Sequence, residues 1–248
     1  LAFSISTEDL EKFDGQNNCK LIYNTSSNCM SMFFNCSDYS PCSDVNLRRA
    51  LAYAVSSDAV LQGVYGGKGY VVHEHSPSWA AGYTEDNYYN YDAEKAAEYL
   101  AQSNYNGETL IIMCEPDDGA IKTAQLINNF LTQIGVASRV ESYESSVFSD
   151  YSTDPEAWDI LVNDTKTNTY YVQALYSSFS QTRYASGGGV NFVYDDHLQE
   201  LLDLCMVEAT STNENLNELH NYVIENCYVK SLVNIVEAFV IPDYMQDV

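Results

Sequence analysis

Residues 109–143, TLIIMCEPDDGAIKTAQLINNFLTQIGVASRVESY, carry the pattern that decides the fold. Thr109–Cys114 is a short apolar run of the kind found in buried strands. Ala120–Ile134 places apolar side chains at helical spacing along one face, and Gly135 follows as a helix stop. Val136–Tyr143 is again extended. The stretch therefore predicts a strand–helix–strand unit whose two strands pair in parallel.

The rest of the chain supplies elements that extend this unit rather than start a separate domain. Trp158–Val162 and Leu232–Ile241 are apolar enough to be further strands of an α/β sheet. Tyr70–Tyr91 has no periodicity and predicts a long irregular loop. At the start of the chain, a short helix is expected between two extended pieces. The predicted helices are Thr7–Phe13, Asp44–Val55, Ser57–Tyr65, one capped by Asp92, Tyr170–Phe179, Asp195–Ala209 and Asn213–Cys227, and the two extended pieces are Leu1–Ser6 and Cys29–Asn35.

Composition narrows the classes of function. The chain has 248 residues, of which 46% are hydrophobic and 19% charged, and this balance excludes a disordered chain. Its 35 acidic and 11 basic residues give a net charge of -24, which repels phosphate backbones and anionic membrane surfaces. We therefore expect no nucleic-acid partner.

The seven cysteines do not form a metal-binding pattern, because no CxxC pair occurs. Two cysteines of the early cluster could form a disulfide if their geometry allows the two thiols to pair. The later three lie in apolar stretches and are expected in the core. The early cluster is Cys19, Cys29, Cys36 and Cys42, and the later three are Cys114, Cys205 and Cys227.

Residues that could carry catalysis are few, since the chain has no GxSxG, P-loop or HExxH motif. His73-Glu74-His75 is the one close histidine pair, and a metal-dependent hydrolase using His73, His75 and Asp117 is the enzymatic alternative. Two histidines do not complete a metal site, so we favour a surface loop there. Asp117-Asp118 follows a predicted strand, where α/β proteins bind ligands, although such residues also cap helices.

Several segments, in the same order along the chain, resemble the family 5 extracellular solute-binding proteins. Residues 44–55, DVNLRRALAYAV, resemble the family's helix after its "pPFsD" entry, and Phe34-Asn35 stands where the family has "FN". Residues 91–96, YDAEKA, resemble its "yDpeKA" helix, and Trp158-Asp159-Ile160 resembles its "fDm" strand. Asn213–Ile241 resembles its closing helix and strand. Each motif is short, but their order and spacing are specific.

The resemblance implies the fold and the organisation of the chain. The fold would be an α/β lobe of the type II periplasmic-binding-protein-like class, with a mixed sheet and helices on both faces. Residues 1–35 would be a crossover segment entering the lobe, and residues 36–248 the second lobe of a two-lobed protein. The chain would then be part of a longer receptor.

The resemblance also implies candidate ligand-binding positions. The stretch before "FN", here Ser31, Met32 and Phe33, lines the cleft in peptide-binding members of the family. The loop after "fDm" carries an Asp that pairs with the ligand's amino group, and Asn168 aligns there, so charge-assisted pairing would need Asp164 instead. The remaining candidates are Asp117 and Asp118 at the other loop, and Asn163, Lys166 and Tyr170 around Asn168.

The function implied is the substrate-binding lobe of an extracellular ABC-importer receptor that closes on a small peptide and docks on permease subunits. Such a protein is not an enzyme, needs no cofactor or resident metal, and would be a monomer that is lipid-anchored at the cell surface or periplasmic. A metal- or chelate-binding receptor of the same family is the alternative. The metal-dependent hydrolase is the rival from another class.

Overall fold

In the computed structural model, which describes residues 3–5, 12–13, 18–82, 84, 89–166, 170–185 and 191–244, seven strands form one mixed sheet. Strands β1–β7 are Phe3–Ile5, Cys19–Phe34, Gly69–Val71, Leu110–Cys114, Ser138–Ser142, Ile160–Lys166 and Val229–Pro242. Helices α1–α9 are Val45–Ala54, Ser57–Tyr65, Ala93–Gln102, Asp118–Gln133, Ser145–Ser152, Tyr171–Phe179, Gln181–Ala185, Asp196–Met206 and Asn213–Asn226.

The strand–helix–strand prediction is confirmed by the pairing of β4 with β5, which is parallel. The sheet order is β1-β7-β2-β6-β4-β5, and β3 pairs with β7. β6 joins β4 in parallel, whereas β2 runs antiparallel to both β6 and β7. The carboxyl ends of β4, β5 and β6 therefore share one edge of the sheet.

Helices cover both faces of the sheet, as the resemblance implies. Side chains alternate between two hydrophobic clusters: Met32 and Phe34 point to one and Phe33 to the other. The first cluster is covered mainly by α1, α2 and α4, and the second by α5, α6, α8 and α9. Since both faces are buried, the central strands are apolar throughout.

Local capping explains where the predicted helices begin and end. The side chain of Asp44 accepts from the Asn46 N–H, and that of Asp92 accepts from Glu94 and Lys95 N–H, so each satisfies donors that a first turn leaves open. Gly66 ends α2 at φ 60°, a left-handed conformation that glycine adopts without strain.

The structure differs from the sequence-based prediction at several elements. β2 begins ten residues before the predicted start at Cys29. Its residues 19–25 pair only with residues 236–242 of β7, and the register of this pairing shifts between Thr25 and Cys29. β6 runs on to Lys166, β3 lies at the start of the predicted irregular loop, and α5 was not predicted.

Two further predictions concern the early part of the chain. β1 falls within the predicted extended piece Leu1–Ser6, whereas most of the predicted helix Thr7–Phe13 lies outside the described residues. The seven cysteines are free thiols, so the disulfide left open by the sequence does not form in this structure. No helix in the described ranges has both the length and the apolar character needed to cross a membrane.

The buried guanidinium of Arg48 connects helices from the two faces of the sheet. Its Nη1 donates to the carbonyls of Cys42 and Ser43 at 2.8 and 2.9 Å, beside the start of α1. Its Nε and Nη2 donate to the Asn226 carbonyl at 3.0 and 2.6 Å, and Nε also reaches Cys227 at 3.2 Å. The cation thus satisfies carbonyls at the C-terminus of α9, where the helix dipole favours positive charge.

We predict that Arg48→Met lowers the free energy of unfolding by about 3 kcal/mol, because charged hydrogen bonds are lost and buried carbonyls are left without donors. Urea unfolding of the variant measures this directly. Arg49→Met is the matched control: Arg49 donates to the Glu225 carbonyl on the exposed side of α1, and its loss is expected to cost less than about 1 kcal/mol. Equal losses in the two variants would contradict the role assigned to Arg48.

Candidate functional site

Acidic side chains gather where β4 and β6 end. Asp117 and Asp118 follow β4 and are exposed, and Glu115 between them and the strand is half-buried. Asp164 lies near the end of β6, the neighbouring parallel strand. The carboxyl ends of parallel strands meet at one edge, so the β4 loop and β6 place these carboxyl groups on the same edge of the sheet.

The start of α4 fixes one side of this edge. Asp117 caps the helix, because its Oδ1 accepts a hydrogen bond from the Ala120 N–H at 3.1 Å. This is the helix-capping alternative that the sequence offered for the residue. The helix start lies against Tyr65 at the end of α2: a Cβ built on Gly119 would be 3.1 Å from Asp117 Oδ1 and 3.2 Å from the Tyr65 hydroxyl. Gly119 therefore permits a close approach of α2 and α4 that a larger residue would disturb.

The carboxyl groups of this edge repel one another. Burial, and then the charge of Asp117, raise the pKa of Asp164 above its ordinary value, and the Asn28 amide at 3.3 Å and Lys166 oppose that shift. Burial raises the pKa of Glu115 as well, followed by the charges of Asp164 and Asp117. An edge of this kind favours a ligand that brings a positive group.

The residues predicted before "FN" lie elsewhere. Ser31, Met32 and Phe33 have no exposed surface, and their backbones pair with β6 and β7 on either side. Met32 and Phe33 belong to opposite hydrophobic clusters, and Ser31 Oγ lies 3.4 Å from Ser231 Oγ. Their placement in the core corrects the expectation that these three side chains line the cleft.

The other predicted residues lie close to the acidic edge. Asn163 is half-buried and pairs in register with Ser31, and Lys166 ends β6 with its side chain exposed. Tyr170 is 55% exposed and forms a parallel bridge with Ala81, while Asn168 lies outside the described residues. The structure thus groups Asp164 and Lys166 with Asp117 and Asp118 at the acidic edge, whereas Asn163 lies beside Ser31 in the sheet.

A second polar cluster lies in the loop that sequence analysis assigned to the surface, and this interpretation of His73–His75 is wrong. Glu74 is 3% and His75 2% exposed. Glu74 Oε1 accepts from the Thr84 hydroxyl at 2.5 Å and the Thr84 N–H at 3.2 Å, and His220 Nδ1 of α9 lies 2.9 Å from it. Sequence analysis missed this contact because 146 positions separate Glu74 from His220.

His75 is buried between aromatic rings. Its Nε2 pairs with Ser178 Oγ at 2.8 Å, and Phe33 and Phe179 meet it edge-on with ring centroids at 5.1 and 6.0 Å. Burial lowers the pKa of His75 to about 4, so the imidazole is neutral near pH 7. Val72 and Ala80, apolar residues on either side of the motif, are buried and were the sequence signal that this loop packs inward.

The metal-dependent hydrolase hypothesis fails on geometry. His73 and His75 border a cavity beside the first residues of β7, whereas Asp117 caps α4 at the carboxyl edge. Across the described ranges, no three His, Cys, Asp or Glu side chains come together in a way that would hold a metal ion.

Comparison with known proteins agrees with this fold. The sequence profile described as bacterial extracellular solute-binding proteins, family 5 middle, matches residues 1–187. The dipeptide-binding protein of Escherichia coli (strain K12) is 29% identical over 135 residues, which cover 52% of this chain and 25% of that protein. The chain spans only about a quarter of this curated relative.

Two solved structures share the fold over nearly the whole chain. DppA from Helicobacter pylori, in complex with the peptide STSA, superposes with a TM-score of 0.85 and 18% identity, covering 99% of this chain and 49% of DppA. NikZ from Campylobacter jejuni, in complex with Ni(L-His), superposes with a TM-score of 0.83 and 18% identity, covering 99% of this chain and 52% of NikZ. At this identity the likeness shows the fold, and the chain spans about half the length of these proteins.

The neutral buried imidazole generates a pH prediction. The folded-state pKa of His75 is about 4 against 6.5 when exposed, so protons bind the unfolded chain more readily and this residue's contribution to stability is lost as pH falls below 6.5. We expect His75→Gln to reduce the stability lost between pH 7 and pH 5 by about 2 kcal/mol. Urea unfolding at the two pH values measures the difference. An unchanged pH dependence would mean that His75 takes up a proton between pH 7 and pH 5 in the folded protein as it does in the unfolded chain.

Proposed function

Since the chain belongs to family 5 of the bacterial extracellular solute-binding proteins, we propose that it is the substrate-binding lobe of an ABC-importer receptor for short peptides. The observation that carries the proposal is the carboxyl edge of β4 and β6, where the charge of Asp117 adds to burial in raising the pKa of both Glu115 and Asp164. A peptide's terminal ammonium would relieve that repulsion, and charge-assisted hydrogen bonds are stronger than neutral ones.

Asp164 is the residue proposed to receive the ammonium. It lies close to the end of β6, and the one side-chain hydrogen bond that its carboxylate accepts within the described residues is the long one from Asn28. Asn168 would add a neutral hydrogen bond, and Asn163 and Tyr170 would border the peptide. Lys166 offers a cation for a ligand carboxylate.

The proposed mechanism is hinge closure, and the long strands β2 and β7 would form the hinge. β2 and β7 extend past the body of the sheet as a ribbon, residues 19–25 against 236–242, on the side where β6 ends. Such a ribbon would be the hinge, and a ligand held between lobes would stabilise the closed state by its extra contacts. The step requires binding and closure but no covalent chemistry.

The setting of this proposal is the cell exterior. Proteins of this family are extracellular, secreted or periplasmic, and we propose a lipid-anchored form at the cell surface that works as a monomer. The closed receptor would dock on the permease subunits of the importer. The negative net charge argues against nucleic acid as a partner.

A chelate-binding receptor is the second candidate, favoured by the fold shared with NikZ in complex with Ni(L-His). Among the described residues, the acidic edge presents carboxylates but no exposed histidine or cysteine, whereas nickel prefers imidazole and similar ligands. A metal already chelated by a small organic ligand would remain compatible with this edge.

Native mass spectrometry of the complete receptor, purified from cells grown in peptide-rich medium, distinguishes these candidates. We expect bound species whose masses match peptides of a few residues and which fragment as peptides. A bound mass corresponding to a metal chelate would replace the peptide proposal by the second candidate. A preparation that stays ligand-free in the presence of a di- to pentapeptide mixture would contradict the peptide proposal.

Substitution at the edge tests the residues. With a peptide identified as above, Asp164→Asn should weaken binding by about 2 kcal/mol, because a charge-assisted contact becomes neutral, and Asn168→Ala by about 1 kcal/mol. Titration calorimetry of the complete receptor measures both. Asp38→Asn, an exposed carboxylate after β2 at the opposite end of the strand, is the control and should bind as the unaltered protein does. Unchanged affinity in Asp164→Asn would remove that residue from the site.

A further inference from the structure

The pairing of β2 with β7 is irregular where their ribbon joins the body of the sheet. The register jumps between Thr25 and Cys29, so residues 26–28 of β2 stand opposite the single residue Ile235. On the ribbon side of this 26–28 bulge, β2 pairs with β7 alone, whereas from Asn28 onward it pairs with β6 as well. A bulge disrupts the ladder and bends its strand, so the backbone pairing is interrupted at the boundary between ribbon and lobe.

Two polar side chains hold the 26–28 bulge in place of ladder bonds. Asn234 of β7 is fully buried, and its Nδ2 donates to the Ser26 and Asn28 carbonyls, both at 2.9 Å. Ser26 Oγ donates to the Ile235 carbonyl at 2.6 Å and accepts from the Asn28 N–H at 3.0 Å. Because these bonds satisfy the backbone groups of the bulge, its conformation depends on the side chains of Asn234 and Ser26.

The other side of β7 is fixed at the same level. β3 pairs with it there, with Gly69 opposite Ile235. Gly69 has a positive φ of 151°, and a Cβ on it would lie 2.8 Å from the Asn234 carbonyl oxygen, so the two strands approach closely. β7 thus has a partner strand on both sides at this level, whereas residues 26–27 of β2 are not paired with β6. β2 is therefore the strand that can change its path.

The bulge contains two acceptors that its own bonds leave unpaired. The side-chain amide oxygens of Asn28 and Asn234 are buried and have no hydrogen-bond partner among the described residues. Two carbonyls fix the orientation of the Asn234 amide, since only its nitrogen can donate to them. Buried acceptors without donors cost free energy, so a rearrangement of the bulge that brings donors to them would be favourable.

The bulge also contacts the proposed ammonium site. Asn28 Nδ2 donates to Asp164 Oδ2 at 3.3 Å, and Asn28 pairs in register with Lys166 at the end of β6. An ammonium group bound at Asp164 would share that carboxylate with the Asn28 amide. A ligand at the acidic edge and the bonds that hold the bulge would therefore act on the same residue.

We propose that the 26–28 bulge is the point at which the ribbon bends when the lobes close, and that Asn234 is the positioning residue that sets this bend. The inference rests on the proposed function, because closure requires a second lobe. With the bonds of Asn234 and Ser26 in place, the ribbon holds the lobes within a narrow range of orientations. Without them, the same ribbon allows a wider range.

Small-angle X-ray scattering of the complete receptor without ligand tests the bend. Asn234→Ala removes the two bonds to the bulge carbonyls, and we expect a larger radius of gyration than in the unaltered receptor. Ser26→Ala removes the other two bonds, should change the scattering in the same direction, and tests the proposal if Asn234→Ala fails to fold. Ser231→Ala is the matched control, because Ser231 is a buried β7 residue that meets Ser31 of β2 within the body of the sheet. It should scatter as the unaltered receptor does.

Identical scattering of the unaltered receptor and both bulge variants would overturn the proposal. An equal change in Ser231→Ala would also overturn it, since it would show a general loosening of the sheet.

Peptide binding to the same samples separates this inference from the proposed function. We expect Asn234→Ala to bind the peptide about tenfold more weakly, because closure must then also order the ribbon. Unchanged affinity in this variant would overturn the role of Asn234 in closure. An unaltered receptor that binds no peptide would contradict the proposed function, while its ligand-free scattering would still decide whether the ribbon bends at the bulge.

Discussion

The two faces of this lobe are held together by one buried cation. Arg48 lies on α1, on the first face, and its guanidinium donates to backbone carbonyls at the C-terminus of α9, on the second. Hydrophobic packing is non-directional, so it holds each helix layer to the sheet without fixing one layer relative to the other. Donors of fixed geometry supply that restraint, because the guanidinium plane satisfies carbonyls of both elements only in one arrangement.

Asp159, directly before β6, likewise connects separate elements through its side chain. Its Oδ1 accepts from Ser40 Oγ at 2.6 Å and its Oδ2 from the Ile111 N–H at 2.7 Å, so one carboxylate joins the turn before α1 to the start of β4. Asn35 donates to the carbonyls of Pro155 and Trp158 at 2.8 and 2.6 Å, which ties the end of β2 to the approach of β6. These polar residues fix the strand ends at the amino edge, opposite the carboxyl edge where the acidic side chains gather.

The sequence predicted the elements whose signal is local. β4, α4 and β5 show clear periodicity, and Asp44, Asp92 and Gly66 mark helix ends by capping, so these were found within a few residues. The N-terminal part of β2 was missed because residues 19–25 are polar in part and are held by pairing with β7, more than 200 positions away. α5 was missed because Phe148 is its one buried residue and no apolar stripe marks it.

The candidate site divides in the same way. The rule that ligands bind beyond the carboxyl ends of parallel strands singled out Asp117 and Asp118 before any coordinates, whereas Asp164 was a candidate only through the resemblance to the family. Ser31–Phe33 were placed by analogy with relatives, and the structure buries them because the alternation of β2 sends these side chains into the two cores. Glu74 lay beyond any sequence rule, because a contact between a loop and α9 has no local pattern.

The described residues between 72 and 91 have almost no ladder hydrogen bonds, and charged side chains fix this stretch instead. Lys230 holds the Tyr89 carbonyl and the α1–α2 junction to β7, while Glu74 holds Thr84 and meets His220. Burial lowers the pKa of Lys230 to about 7, since little solvent reaches its ammonium group. The positive and negative charges are each committed to backbone or loop contacts rather than to each other. Lys230 and Glu74 therefore fix different parts of this stretch, the ammonium group at the Tyr89 carbonyl and the carboxylate at Thr84.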